Sequence, residues 1–329
     1  MATVQTVTGP VDSGALGRVL AHEHVVTRSP GLREDWPQTY PRDEVLAICV
    51  ERLTKLKAAG IDTLVDHTTY DLGRDLELLR DASAASGLQV IGATGVWVEP
   101  QRYWHLRAPI EGAQLLIGDL CEGVAGSGVK PGIIKCAIDA AGVTPAIDRV
   151  LRACAIAHRE TSAHISTHTI ARERQGLDQQ RIFAEEGVDL TRVQIGHCGD
   201  TDDLDYLREL LAAGSYLGMD RFGVEPLLPD ATRMDVVATL CAEGYADRLL
   251  LSQDASCWND RMPMAEMARL RPDWHHHRIV EDIVPGLLER GVAEDQIDQM
   301  MVRNPAALYA RQDPYPGEYS DAARRNAWD

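Results

Sequence analysis

Long apolar runs are missing from this 329-residue chain. No stretch approaches the roughly 20 consecutive apolar residues that cross a bilayer, so a membrane-spanning helix is excluded. The opening residues, Met1-Ala-Thr-Val-Gln-Thr6, lack the positive charge and apolar block of a secretory leader, and a cytoplasmic location is expected. Basic runs are missing too: Lys and Arg total 33 against 50 Asp and Glu, a formal net charge of −17. Such a surface repels nucleic acid and anionic membrane, which are therefore not expected as partners. The seven cysteines are odd in number and show no CxxC spacing, so they read as reduced thiols rather than a disulfide framework. Cys49 and Cys154 fall in helical patterns and read as core residues.

What is present is a repeat. With 45% hydrophobic residues the chain can bury a large core, and residues 1–329 read as one domain. Turn signals at Gly9-Pro10 and Asp12-Ser13-Gly14 predict a short N-terminal hairpin leading into a first strand, Arg18 to His24. Helix-period segments then alternate with short apolar strands. Helices are predicted over 42–59, 75–86, 111–124, 144–159, 177–186, 203–213 and 231–243, and strands over 63–66, 89–94, 132–137, 164–168, 193–197, 216–219 and 248–252. Residues 96–109 read as an aromatic loop, residues 255–274 as a long irregular stretch, and two last helices are predicted near 279–290 and 294–311. Eight alternations, with strands that are continuous apolar runs, predict a parallel sheet covered on both faces: an α/β chain closed as a (β/α)8 TIM barrel, with a long loop after strand eight.

Active sites of that architecture sit at the carboxyl ends of the strands. The residues there are His22 and His24, Lys135, His168, His197 and Asp254. In Leu20-Ala-His-Glu-His-Val25, positions i and i+2 of a strand share a face, so His22 and His24 project together while Glu23 turns away. Taken alone, this is equally readable as a chance surface pair. Lys135 resists a bland reading: a lysine inside Ile133-Ile-Lys-Cys-Ala137, in a strand buried on both sides, must have its charge compensated or removed. A neutral buried amine can add carbon dioxide, and the resulting carbamate (N6-carboxylysine) has two anionic oxygens able to bridge two cations. Four imidazoles, that carbamate and one aspartate make a complete donor set for two divalent ions, with zinc, manganese, cobalt and iron all suited to mixed N and O donors.

The ordered set of His-x-His on strand one, Lys on strand four, His on strands five and six and Asp on strand eight resembles the phosphotriesterase family of the amidohydrolase superfamily. The wording Ala21-His-Glu-His24, Gly132-Ile-Ile-Lys135, Ile165-Ser-Thr-His-Thr169, Gly176-Leu-Asp-Gln-Gln180, Ile195-Gly-His-Cys-Gly-Asp200 and Gly218-Met-Asp-Arg-Phe-Gly223 is similar to the phosphotriesterase-like lactonases. The resemblance covers nearly the whole chain. It implies a binuclear metal-dependent hydrolase in which His22, His24 and Asp254 hold the more buried metal, His168 and His197 the more exposed one, and carboxylated Lys135 and a hydroxide are shared. It further implies lactone or ester substrates, weak phosphotriesterase activity, Asp254 as proton acceptor, and a homodimer.

Arg221 matches a pocket arginine of those lactonases, against the alternative of an exposed salt-bridging side chain. Trp97 departs from them: lactonases that act on acyl-homoserine lactones carry Tyr after strand three, whereas Gly95-Val-Trp97 offers an indole N–H donor and no acceptor. Gln253, the Asp66-His67-Thr-Thr-Tyr-Asp71 stretch, and a short proline-rich loop over 27–41 depart as well. These loops set specificity on a barrel, so a phosphotriester or a sugar-derived lactone stands as the alternative substrate. An inactive scaffold on the same barrel is the reading from another class, and the intact six-residue set counts against it. His275-His276-His277 reads as a helix start or surface cluster.

Overall fold

The computed structural model describes residues 2–329. The chain opens with the expected hairpin, in which β1 (Thr3–Thr6) pairs antiparallel with β2 (Gly9–Asp12). The hairpin closes the amino-terminal mouth of the barrel. Val7 donates its backbone N–H to the Val90 carbonyl at 2.9 Å, and Val4 packs with Leu16, Val19, Ile91, Ile133 and Leu250 in one buried cluster.

Ten further strands follow: β3 (Val19–Thr27), β4 (Thr63–Asp66), β5 (Gln89–Ile91), β6 (Ala93–Gly95), β7 (Ile133–Ala137), β8 (His164–His168), β9 (Val193–Ile195), β10 (Tyr216–Met219), β11 (Leu249–Leu251) and β12 (Ser256–Asn259). All pair in parallel, in two arcs ordered β12-β3-β4-β5 and β11-β10-β9-β8-β7-β6. The arcs meet within two continuous stretches of chain. The third stave breaks at Gly92 into β5 and β6, and the eighth breaks at 252–255 into β11 and β12. Across the second seam Asp254 donates its N–H to the His22 carbonyl at 3.1 Å, and His24 donates to the Ala255 carbonyl at 2.9 Å. The ring therefore closes through the residues that carry the candidate ligands.

The crossovers are the helices Arg42–Ala58, Leu76–Ser86, Pro109–Glu122, Pro145–Thr161, Gly176–Glu185, Leu204–Ala212 and Asp230–Ala242. Their starts follow capping chemistry: the side chains of Asp75, Thr144 and Asp203 accept the N–H groups of Leu78, Ile147 and Tyr206 at 3.0, 3.3 and 3.0 Å. Their inward leucines and valines, Leu53, Leu78, Val150, Leu207 and Val237 among them, are fully buried against the outer face of the strands. Cys49 and Cys154 lie in this layer, as expected.

Five segments depart from the sequence reading. The stretch read as irregular holds β12 and the helix Met264–Leu270, and the aromatic loop holds the short helix Arg102–Leu106. The loop over 27–41 holds the helical turn Leu32–Asp35. The last two helices are each interrupted by a wide π turn, Ile279–Ile283 and Gln299–Arg303. Each turn runs up to a proline, Pro285 or Pro305, whose missing N–H removes a bond from the regular ladder. No helix among the described residues is long and apolar enough to cross a membrane.

Candidate metal centre

The six strand-end residues line a single cavity of about 240 Å³ at the carboxyl face of the barrel. Lys135 lies at its centre. Its Nζ is 3.2 Å from His22 Nε2 and donates to the Thr167 carbonyl at 2.7 Å. His24 Nε2 lies 3.2 Å from Asp254 Oδ1, and His22 Nε2 lies 3.7 Å from the same oxygen. His168 ends β8 and His197 follows β9; their rings stand perpendicular with His168 Nδ1 2.8 Å from His197 Nε2.

Each of the four imidazoles has an oxygen behind it, and those of His24, His168 and His197 are hydrogen-bonded to it. Thr68 Oγ1 is 2.8 Å from His24 Nδ1, and Asp139 Oδ2 is 2.7 Å from His168 Nε2. Asp220 serves two rings: its Oδ1 is 2.8 Å from His197 Nδ1, and its Oδ2 is 2.9 Å from His22 Nδ1, off the hydrogen-bonding line. In every case the remaining nitrogen faces the other donors. A held back nitrogen fixes the tautomer and leaves a directed lone pair in front, the arrangement metal-binding histidines adopt. Donors about 2.0–2.1 Å from a tetrahedral ion stand roughly 3.3 Å from one another. The 3.2 and 3.7 Å spacings of His24 and His22 to Asp254 fit that requirement.

Protonation agrees with this geometry. Burial lowers the Lys135 ammonium to about 7, against the opposing pull of Asp254 and Asp220. Burial likewise drives His22 and His197 well below the usual histidine range and lowers His168, so their rings are neutral near pH 7. Burial alone would raise Asp254, but the neighbouring side chains of His22, His24, His197 and Arg221 hold its carboxyl well below the usual carboxylate range. Neutral imidazoles, an amine near its midpoint and an ionised carboxylate are the forms that bind cations.

Three cavity residues hold left-handed backbone, a conformation uncommon outside glycine: His197 at φ +59°, Arg221 at +62° and Asp254 at +58°. For Asp254 the cause is visible. The fully buried Glu23 carboxylate accepts the N–H groups on either side of it, from Gln253 at 2.9 Å and Ala255 at 2.8 Å, and also the Ser252 hydroxyl. Glu23 does turn away from the two histidines, but into a socket rather than toward solvent.

Arg221 lines the cavity while making two ion pairs, Nε to Asp254 Oδ2 at 3.1 Å and a guanidinium N–H to Asp200 at 2.8 Å. Trp97 lines it too, edge-on to His168 at 5.7 Å between ring centres, with its backbone N–H fixed on the Asp71 carboxylate at 2.9 Å. Of His275–His277 only His276 is buried, 3.6 Å from Glu23, just before the Ile279–Ile283 turn. Sequence reasoning assigned no role to three residues that the structure places in the centre: Glu23, Asp220 and His67. The fully buried His67 ring lies 3.8 Å from that of His22, with Nδ1 3.3 Å from Lys135 Nζ. Signals existed: an acid between two histidines, an acid just past strand seven, and a histidine at the end of strand two.

An α/β barrel with imidazoles, an amine and a carboxylate gathered at its carboxyl face is the architecture of a metal-centred barrel enzyme. The phosphotriesterase family model matches residues 2–309. The chain is 44% identical over 325 residues to a phosphotriesterase homology protein of Mycobacterium tuberculosis, covering 96% of this chain and 100% of that one. It is 35% identical over 305 residues to an aryldialkylphosphatase of Saccharolobus solfataricus (91% and 97% covered), and 28% identical over 343 residues to an N-acetyltaurine hydrolase of Tetraodon nigroviridis (92% and 96%). A solved structure described as the phosphotriesterase from Mycobacterium tuberculosis superposes with a TM-score of 0.91 at 44% identity, covering 95% of this chain and 100% of that one. The chain belongs to the phosphotriesterase family and is a hydrolase.

Proposed function

We propose that this hydrolase is a binuclear metal enzyme that opens lactones and hydrolyses phosphotriesters weakly. The observation that carries the metal reading is the set of four imidazoles, each backed by an oxygen and aimed forward, around a buried lysine whose charge burial disfavours. His22, His24 and Asp254 would hold one ion, His168 and His197 the other, with Lys135 between them. Lys135 would hold carbon dioxide as a carbamate, formed on its deprotonated amine with loss of one proton, which would supply anionic oxygen donors to the pair. Zinc suits these donors best, with manganese, cobalt or iron as substitutes. Divalent ions held there would supply an acidified water and a Lewis acid for the substrate oxygen.

The chain's own groups do the rest. Asp254 accepts the proton of the attacking water, and the ion pair from Arg221 to its Oδ2 keeps the carboxylate aimed. Trp97, Leu72 and Trp274 wall the cavity and keep bulk water from the acyl group. A tetrahedral phosphorus centre resembles the addition intermediate of ester hydrolysis, which supports the weaker second activity. The name aryldialkylphosphatase, carried by a relative 35% identical, supports a phosphotriester as the alternative principal substrate.

Metal analysis with the variant Lys135→Ala tests the reading. The parent chain should purify with about two ions per chain and the variant should lose both metal and activity, with partial rescue by a short carboxylic acid. Full activity in the variant would sink the mechanism. A panel of lactones, esters and phosphotriesters on the metal-loaded protein then ranks the substrates.

A further inference from the structure

Beside the metal-centre cavity lies a second one of about 290 Å³. The two share Thr27, Ser256, Arg261, Arg271 and Trp274, so a ligand seated over the histidines can extend directly into the outer space. The outer walls combine apolar surface from Met264 and Met267 with the guanidinium groups of Arg52, Arg261 and Arg271. No acidic side chain lines the outer cavity among the described residues, and Asp254, already bound by Arg221, is the one acid in the inner cavity. In a chain with 50 acidic and 33 basic residues this is a local reversal of sign.

The three arginines are also without carboxylate partners. Elsewhere arginines pair readily, as Arg152 does with Asp148, Glu185 and Glu186. Arg52, Arg261 and Arg271 make no ion pair among the described residues. Arg52 makes one long bond, to the Ser256 carbonyl at 3.5 Å. Arg261 and Arg271 instead lie over aromatic faces, 5.4 Å from the Trp97 ring centre and 5.3 Å from that of Trp274. Both platforms are fixed: Trp97 by its bond to Asp71, and Trp274 by an indole N–H donated to the Gln253 carbonyl at 2.7 Å. Asn259 Oδ1 accepts the Arg261 backbone N–H at 3.1 Å and orders the turn that carries it. Asp71, Glu99 and Asp260 share a separate surface cleft with Arg261, none within ion-pair distance of it. The guanidinium groups of Arg261 and Arg271 thus lie on stacking platforms with no hydrogen bond to another group among the described residues.

We infer that the preferred substrate is an ester or lactone bearing a carboxylate or similar oxyanion at the end remote from the scissile bond, received by Arg261 and Arg271 at the junction of the two cavities. Arg52 lies further along the outer wall and accepts the longer members of that class. This inference rests on the hydrolase reading above and narrows its substrate class. The reaction is unchanged: water adds to the acyl carbon, the carbon–oxygen bond breaks, and the leaving oxygen takes up a proton. A planar guanidinium matches an oxyanion with two parallel hydrogen bonds, and it discriminates against a methyl group at the same place.

The test compares two probes on the metal-loaded enzyme, mono(4-nitrophenyl) adipate and 4-nitrophenyl hexanoate, which differ in one terminal carboxylate. The adipate ester should show a kcat/KM at least about tenfold higher, since a hydrogen bond to a charged group is worth that much or more. The advantage should sit in KM and shrink with added salt. The double variant Arg261→Glu/Arg271→Glu should abolish the ratio, and Arg269→Glu, a single substitution of the same kind on the exposed face of the Met264–Leu270 helix, should preserve it. Equal rates on the two probes, or a ratio that survives in the double variant, overturns the inference while hexanoate turnover still reports the hydrolase. Calorimetry with adipate and hexanoate as ligands gives a readout independent of turnover: the extra affinity of adipate should vanish in the double variant, and its persistence there overturns the assignment.

Discussion

Asp220 is the most heavily used carboxylate of the centre, and Asp220→Asn tests whether it tunes the histidines or merely fills space. The residue is fully buried; Oδ1 meets His197 Nδ1 at 2.8 Å, and Oδ2 accepts the His197 backbone N–H at 3.1 Å while lying 2.9 Å from His22 Nδ1. Asparagine keeps the shape but turns one oxygen into an N–H₂ donor. One imidazole then faces a donor where it faced an acceptor, so its proton moves to the front nitrogen and its lone pair turns away from the site. Removing the outer partner of one metal-binding histidine lowers metal affinity about 10–100-fold, and one side chain serving two rings places the loss near the top of that range. A factor of about 100 is roughly 2.7 kcal/mol. The assay is titration of the zinc-loaded protein with a competing chelator. Asp139→Asn provides the comparison, because Asp139 supports His168 alone and is partly exposed; its loss should fall near the lower end, about tenfold. An Asp220→Asn protein that keeps parental zinc affinity, or loses less than Asp139→Asn, would refute the argument.

Trp97→Tyr should alter the relative rates on acyl-homoserine lactones and other lactones, because a hydroxyl replaces a ring edge against His168; an unchanged profile would show that Trp97 only fills the wall. Glu23→Gln leaves one of the N–H groups of Gln253 and Ala255 facing an amide N–H₂, at a cost of about 1–3 kcal/mol. A lower urea midpoint and weaker metal binding should appear together, and loss of only one would separate the fold from the site. Burial lowers His158 to about 4 and His164 to about 3. The unfolded chain, titrating near the ordinary value of about 6.5, therefore binds more protons below that pH, and each histidine removes up to about 1.4 kcal/mol of stability per pH unit. Stability should fall from pH 6.5 toward 4, and His158→Gln should flatten the slope measured by urea denaturation; an unaltered slope would count against the assignment.

Periodicity carried the barrel because its two repeats are local. Buried parallel strands such as Ile133–Ala137 are apolar on both faces, and the helices begin at side chains such as Thr144 and Asp203 that cap their own first turn. The strand-end histidines were legible for the same reason, since a strand's last residue is also a position in the sequence. What stayed hidden was long-range or short in extent. β12 has only four residues, alternately half-buried and buried, and no helix-like period, so it reads as loop until β3 is there to pair with it. The π turns depend on where a proline removes one ladder bond, which a hydrophobic pattern does not record.

Glu23 joins both lessons. In the sequence it is an acid between two histidines, and strand alternation says only that it faces the other way. Its partners, Ser252, Gln253 and Ala255, lie some 230 positions downstream, where the eighth stave breaks between β11 and β12. That break puts Asp254 in left-handed backbone beside His24, and the bonds from Asp254 to the His22 carbonyl and from His24 to the Ala255 carbonyl close the barrel at the same point. Residues 22–24 and 253–255 therefore form one unit that is both the seam of the ring and half of the candidate ligand set. A buried carboxylate there is costly in isolation; burial pushes the Glu23 carboxyl well above its ordinary range against the three bonds it accepts. An apolar residue would remove that penalty and leave two backbone N–H groups unpartnered beside Asp254. The acid at this seam instead satisfies both N–H groups and fixes Asp254, the carboxylate that the imidazoles of both His22 and His24 face.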